Sequence, residues 1–266
     1  MSEKRVIGDF GSAAEWKRKD LAEVAKKIRD HPPLFAGSFS DGILIAALTR
    51  RDAPSRVRGI VGSIGYCAIG QHSHINDITK PVARSAIATY HYSAPDDVWV
   101  RKLAENAQMR IQNRIDDFFT SSSRKVVIVF TGLGLQQAGD ELTLVDIDGK
   151  VFFGLRYVVT PSLDIDVESD EPGPLKRMGL ARLFAYRAED TMDEAMQKIL
   201  ALGERWRQHI AKHAESEREG LESLVWEVGK FSRATLQKAV EHSQDRPVKK
   251  IFWHGIVEMT KSGGAA

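Results

Sequence analysis

The chain of 266 residues carries 38 lysines and arginines against 36 acidic residues, a formal net charge of +2, with 42% hydrophobic and 28% charged residues. This is the composition of a folded chain long enough for a substantial core; it excludes a disordered polyelectrolyte and gives no electrostatic case for a dedicated nucleic-acid binder. The single cysteine, Cys67, excludes an internal disulfide framework and a cysteine-rich zinc site. No apolar run nears the ~20 residues of a membrane span, and Met-Ser-Glu-Lys-Arg at the start is followed by no apolar signal core, so a cytoplasmic protein is expected.

Residues 1–11 are polar and without a period. Ser12 with Glu15 gives a capping box, and Leu21, Val24, Ala25 and Ile28 share a face of the helix predicted over 13–30, which His31-Pro32-Pro33 stops. Strands are predicted at 34–39 and 42–48, joined across Ser40-Asp41, then at 56–61 and 64–70. Two helices follow. Ile75, Ile78, Val82, Ala86 and Tyr90 mark the first, and Val100, Leu103, Ala107, Ile111, Ile115 and Phe118 the second.

The run 125–131 holds five consecutive apolar residues, Val126 to Phe130, as in a strand buried on both faces. Strands at 141–147 and 150–159 flank an Asp148-Gly149 turn, and an acidic loop over 164–171 comes next. Helices are expected at 175–187 and 191–212, the second opened by a Thr191/Glu194 capping box. A strand at 221–228 and a short helix at 233–243 complete the pattern. Hairpin-linked strands in blocks, separated from paired helices, indicate an α+β fold of antiparallel sheets covered by helices.

Local motifs carry little chemistry. Gly132-Leu-Gly134 lacks the third glycine and the following helix of a dinucleotide loop. His72 and His74 have no partner at metal-ligand spacing, and the acidic loop lacks the glycine and terminal glutamate of a calcium loop. There is no G-x-S-x-G elbow, and Cys67 sits in an apolar strand as a small core residue. Neither cofactor nor metal is expected.

A larger pattern outweighs these fragments. A capped helix, then Ser38-Phe-Ser-Asp-Gly-Ile-Leu-Ile-Ala-Ala-Leu48, Arg56-Val-Arg-Gly-Ile-Val-Gly-Ser-Ile-Gly-Tyr-Cys-Ala-Ile-Gly70, two helices, and the strands at 125–131 and 141–147 succeed one another from about Phe10 to His213. This succession resembles proteasome core-particle subunits, and most the bacterial, actinobacterial-type α-subunits. The resemblance implies an Ntn-hydrolase fold: a four-layer αββα sandwich of antiparallel sheets.

It implies three parts: a gate segment over 1–11 (Met1, Ser2, Glu3, Lys4, Arg5, Val6, Ile7 and Gly8 foremost), a domain over 12–230, and an extension over 231–266. Catalytic subunits of the family place a threonine nine residues before the turn aspartate, here Pro32, and an aspartate six residues after the turn glycine, here Leu48. Neither position can do that chemistry, so no catalytic residue is assigned. The family's lysine position falls on Arg56, with Arg58 in its place if the register slips by two.

The implied function is that of a non-catalytic outer-ring subunit that gates entry to a proteolytic chamber and docks an activator carboxylate at Arg56 or Arg58. Its partners would be copies of itself in a heptameric-type ring, catalytic β-type subunits, an ATPase or other ring activator and unfolded protein substrates, with no nucleic acid or membrane. The alternatives are an active threonine- or serine-dependent Ntn protease subunit and a repurposed ring scaffold without proteolytic function.

Overall fold

The computed structural model describes residues 32–93, 98–115, 126–147, 149–160, 164–167, 176–179, 184–213, 221–241 and 251–259. The helix expected over 13–30 and the gate segment, Met1 to Gly8 included, lie outside them. Strands β1 (Leu34–Phe39) and β2 (Gly42–Arg50) form the hairpin expected across Ser40-Asp41, with Phe39 opposite Gly42 and Leu34 opposite Ala47. β3 (Val57–Val61) and β4 (Ile64–Gly70) pair antiparallel; helices α1 (His72–Tyr92) and α2 (Val100–Ile115) follow. Next come β5 (Val126–Gly132), β6 (Glu141–Val145), β7 (Val151–Phe152) and β8 (Tyr157–Thr160). A separate antiparallel pair, β9 (Asp164–Val167) and β10 (Lys176–Gly179), precedes α3 (Met192–His213). β11 (Leu224–Ser232), α4 (Arg233–Glu241) and β12 (Phe252–Glu258) complete the order.

Two five-stranded antiparallel sheets result. The first runs β12-β11-β2-β1-β8 and the second β3-β4-β5-β6-β7. Strand alternation divides the apolar side chains into three layers. Phe35, Phe39, Leu44, Ala46, Leu48, Trp226 and Val228 of the first sheet pack on Met192, Ala195, Met196, Ile199, Leu202 and Trp206 of α3. The opposite faces, with Leu34, Ala36, Ile43, Ile45 and Ala47 on one side and Cys67, Ile69, Val127 and Val129 on the other, meet between the sheets. Tyr66, Ala68, Ile128 and Phe130 then pack outward on α1 and α2. The fold is thus an α+β sandwich with helices outside two facing sheets. β5, which holds the apolar run Val126 to Phe130, is the middle strand of the second sheet and is buried along its whole length.

Three stretches differ from expectation. The run 150–159 is two strands in different sheets: β7 ends the second sheet and β8 pairs with β1 in the first. Gly154, at φ +66°, allows the change of direction between them in a region that side-chain residues avoid. In place of a helix at its expected start near 175, Lys176–Gly179 is a strand whose register sets Arg177 opposite Asp166 and Lys176 opposite Val167. Pro172-Gly173-Pro174, between the two segments in sequence, is a composition that favours a turn. Lastly, the stretch after 230 supplies Phe231 and Ser232 to β11, the whole of α4, and β12, which forms the edge of the first sheet beside β11.

A buried ion pair joins two segments 93 residues apart. Arg233, the first residue of α4, donates from Nη1 to Asp140 Oδ1 at 3.0 Å and from Nη2 to Asp140 Oδ2 at 2.9 Å. The remaining groups are also satisfied: Nη1 reaches the Gly134 carbonyl at 2.7 Å and Nη2 the Phe39 carbonyl at 3.2 Å, while Asp140 accepts from Ser38 Oγ at 2.6 Å and Gly134 N at 2.9 Å. One hub therefore ties the β1–β2 turn, the Gly132–Asp140 loop and the end of β11. Nearby, the Thr191 capping box forms as expected, and Asp41 Oδ1 accepts from Met192 N at 2.9 Å, anchoring the start of α3 to the same turn.

Arg233→Met or Asp140→Asn alone should lower stability by about 3–5 kcal/mol, because each leaves a buried charge without its partner. The double variant should lose clearly less than the sum in urea denaturation; strict additivity would show that the two groups are not coupled. At Gly203 in α3, an added Cβ would lie 2.5 Å from Nε1 of the fully buried Trp226. Gly203→Ala gains about 1 kcal/mol of helix propensity but overpacks a rigid indole at a cost of about 1–3 kcal/mol. A lower urea midpoint is expected; a higher one would show that the helix shifts freely.

Candidate functional site

Opposite the Arg233–Asp140 hub, the other end of the inter-sheet layer holds a second polar cluster. Along β11, Trp226 and Val228 face α3, so Glu227 faces between the sheets, opposite Ala47 of β2. Glu227 is only 4% exposed, and a carboxylate so deeply placed requires hydrogen-bond donors. Three are present. Ser55 Oγ donates to Oε1, with the Val57 carbonyl 2.9 Å from the same hydroxyl. Arg56 N donates to Oε2 at 2.7 Å, and His254 Nε2 of β12 lies 2.7 Å from Oε1. Phe252 stacks against both Phe231 and the His254 ring and seats β12 in the inter-sheet layer.

Arg56 is the cation of this cluster. Its carbonyl accepts from Ala68 N at 3.0 Å, which fixes the backbone just ahead of β3. Burial lowers the guanidinium pKa from its ordinary value, and the neighbouring Glu227 carboxylate partly opposes that shift. Its Nη1 has no hydrogen-bond partner among the described residues. Arg58, two residues on, pairs across the ladder with Tyr66. Both arginines act electrostatically on His72, the first residue of α1, so the structure brings Arg56, Arg58 and His72 into one positive region. The helix start there has no side-chain cap from Gln71 and no acid in its first turn.

Other sequence candidates take plain structural roles. Cys67 is buried against the Phe35 carbonyl, and burial first, then the Glu227 charge, raises its thiol pKa well above the ordinary value. His72 Nε2 accepts from the Asn76 amide at 2.6 Å, and no group of three His, Cys, Asp or Glu among the described residues is placed to hold a metal ion. Gly132 ends β5, and in the loop that follows the Gly134 amide donates to Asp140 Oδ1 at 2.9 Å. Of the acidic run, Asp164–Val167 is strand and residues 168–171 lie outside the described residues.

Leu48 is fully buried and packs toward α3, and its amide donates to the Pro33 carbonyl at 2.8 Å. The start of β1 and the end of β2 therefore meet with neither a nucleophile at Pro32 nor a carboxylate at Leu48; the hydroxyl that β2 does carry there, Thr49, is buried and has no hydrogen-bond partner among the described residues. The nearby acid comes from β11 and the hydroxyl from Ser55. Sequence reasoning missed Glu227, Ser55 and His254 because 172 residues separate Ser55 from Glu227 and no local motif joins them. One signal existed: Glu227 interrupts the apolar run Leu224–Val228 at an alternate position, where a strand would bury it.

The cluster does not form a serine–histidine–acid relay. Ser55 and His254 both contact the same carboxylate oxygen, so the imidazole does not stand between hydroxyl and acid as general-base catalysis by histidine requires. The arrangement fixes an arginine and leaves one of its donors without an internal partner. Among the described residues no helix is long and apolar enough to cross a membrane. No family model matches the chain, and no curated protein matches it.

Burial, then Arg58, Arg56 and Lys80 in that order, lower the His72 pKa. A histidine with a folded-state pKa below its unfolded value binds its proton more readily in the unfolded chain, so stability falls as pH drops through the ordinary histidine range. His72→Gln should therefore lose less stability than the parent between about pH 7.5 and about pH 5.5. Urea midpoints at both pH values decide this, and equal losses would remove His72 from the positive region.

Proposed function

We propose that the chain is a non-catalytic, ring-forming subunit of the Ntn-hydrolase type, acting as the α-type outer ring of a proteasome-like core particle. The observation that carries this reading is the site between β1, β2 and β3. The family's nucleophile position is Pro32, its acid position is the buried Leu48, and the cation position is retained as Arg56. A subunit that had lost only its chemistry would keep this frame: a sandwich of two antiparallel sheets and a cation at Arg56, with neither a nucleophile at Pro32 nor a carboxylate at Leu48. A guanidinium binds carboxylate with directed hydrogen bonds, which suits the docking of an activator's C-terminal carboxylate.

In this reading the ring admits unfolded chains, partner β-type subunits cleave them, and an ATPase or other activator seats at the pocket containing Arg56, with Arg58 beside it. The segment over 1–11 is the proposed gate. An active Ntn protease would need a free N-terminal Ser or Thr at the start of β1, and the residues there are Pro32 and Pro33.

Native mass spectrometry of the full chain, alone and co-expressed with products of neighbouring genes, tests the proposal. The expected result is a closed ring alone or, with a partner, a larger assembly containing a threonine protease. Monomers in both arms would overturn it. A ring that binds no protease subunit would select the scaffold alternative, and loss of a propeptide ending before Ser or Thr would select the active one.

A further inference from the structure

Glu227 does more than fill a polar position beside Arg56. Its carboxylate holds the two residues that lead into β3, through Ser55 Oγ and Arg56 N, and holds β12 through His254. We infer that Glu227 makes the Arg56 site selective for one singly charged carboxylate and unreceptive to a doubly charged phosphoryl group. This inference rests on the docking function proposed above.

The argument is one of charge balance in a poorly solvated place. The desolvation cost of an anion rises roughly as the square of its charge, whereas its attraction to a fixed cation rises only in proportion. Arg56 alone, with an unpartnered Nη1 donor, would attract either ligand. With the buried Glu227 carboxylate accepting from the Arg56 backbone amide at 2.7 Å, the positive potential offered to a ligand is partly cancelled. What remains favours an anion of one charge over one of two, whose desolvation cost is disproportionately larger. His254 adds positive charge only when protonated, and its side chain is 43% exposed, so solvent screens it. Ser55 is neutral and occupied by Glu227 and the Val57 carbonyl.

The full-length chain in its assembled form is titrated by calorimetry with three probes: an N-acetylated tripeptide with a free C-terminal carboxylate, its carboxamide, and inorganic phosphate. The free acid should bind at least about tenfold more tightly than either of the others. In Glu227→Gln, which keeps the acceptor for Ser55 and removes the charge, phosphate should gain at least about tenfold relative to the free acid. Arg56→Met should lose binding of both anions. If the free acid and phosphate bind the parent protein equally, or the Gln variant leaves their ratio unchanged, Glu227 is not the selector and the docking function stands. If the free acid binds no better than the carboxamide, the docking function itself fails. The ratio in the parent protein is decisive even where the variant does not fold.

Discussion

The Arg233–Asp140 pair is the constraint on which the arrangement of this molecule turns. Its side chains are 9% and 0% exposed, so neither charge can be left to solvent. A buried pair of this kind contributes modestly to net stability but strongly penalises any packing that separates its members. Here the members come from the loop after β5 and the start of α4. Their shared neighbours are the β1–β2 turn and, through Asp41 and Asp190, the start of α3. The two sheets are thereby held in one registration at that end of the inter-sheet layer.

The opposite end is closed by different means. There Glu227 joins the β2–β3 connection to β11 and β12, again by donors drawn from distant parts of the chain. The two clusters bracket an apolar layer formed by Leu34, Ala36, Ile43, Ile45, Cys67, Ile69, Val127 and Val129. They differ in one respect that matters for function. At the Arg233 hub the guanidinium makes five internal hydrogen bonds, while at the Glu227 cluster Arg56 keeps a buried Nη1 with no partner among the described residues. A fully satisfied network rigidifies, and an incompletely satisfied one is the natural place for a ligand.

Much of the frame was legible in the residues. The Ser40-Asp41 turn, the all-buried β5, both central helices and the Thr191 capping box follow from local patterns, since a two-residue turn, a continuous apolar run and a capping pair each act within a few positions. The run 150–159 was less legible because its alternation is compatible with one strand. Only the rest of the fold assigns its two halves to different sheets, at Gly154. Lys176–Gly179 looked helical in isolation and is a strand paired antiparallel with Asp164–Val167, a pairing that no pattern within the segment itself announces. Of the candidate site, Arg56 was reached by counting from Gly70, whereas Glu227, Ser55 and His254 left no local spacing to count.

The amino-acid sequence by itself determined most of the element types, the Ser40-Asp41 turn, that Pro32 offers no nucleophile and Leu48 no carboxylate, and that position 56 carries a cation. These depend on periodicity, turn chemistry and residue identity, which are local. The tertiary structure alone decided which sheet each strand joins, that β12 is part of the first sheet, and that Glu227 faces Arg56. Those outcomes depend on which buried polar groups find partners across 100 to nearly 200 residues of chain, from Ser38–Asp140 at 102 to Arg233–Phe39 at 194, and no local pattern encodes that choice.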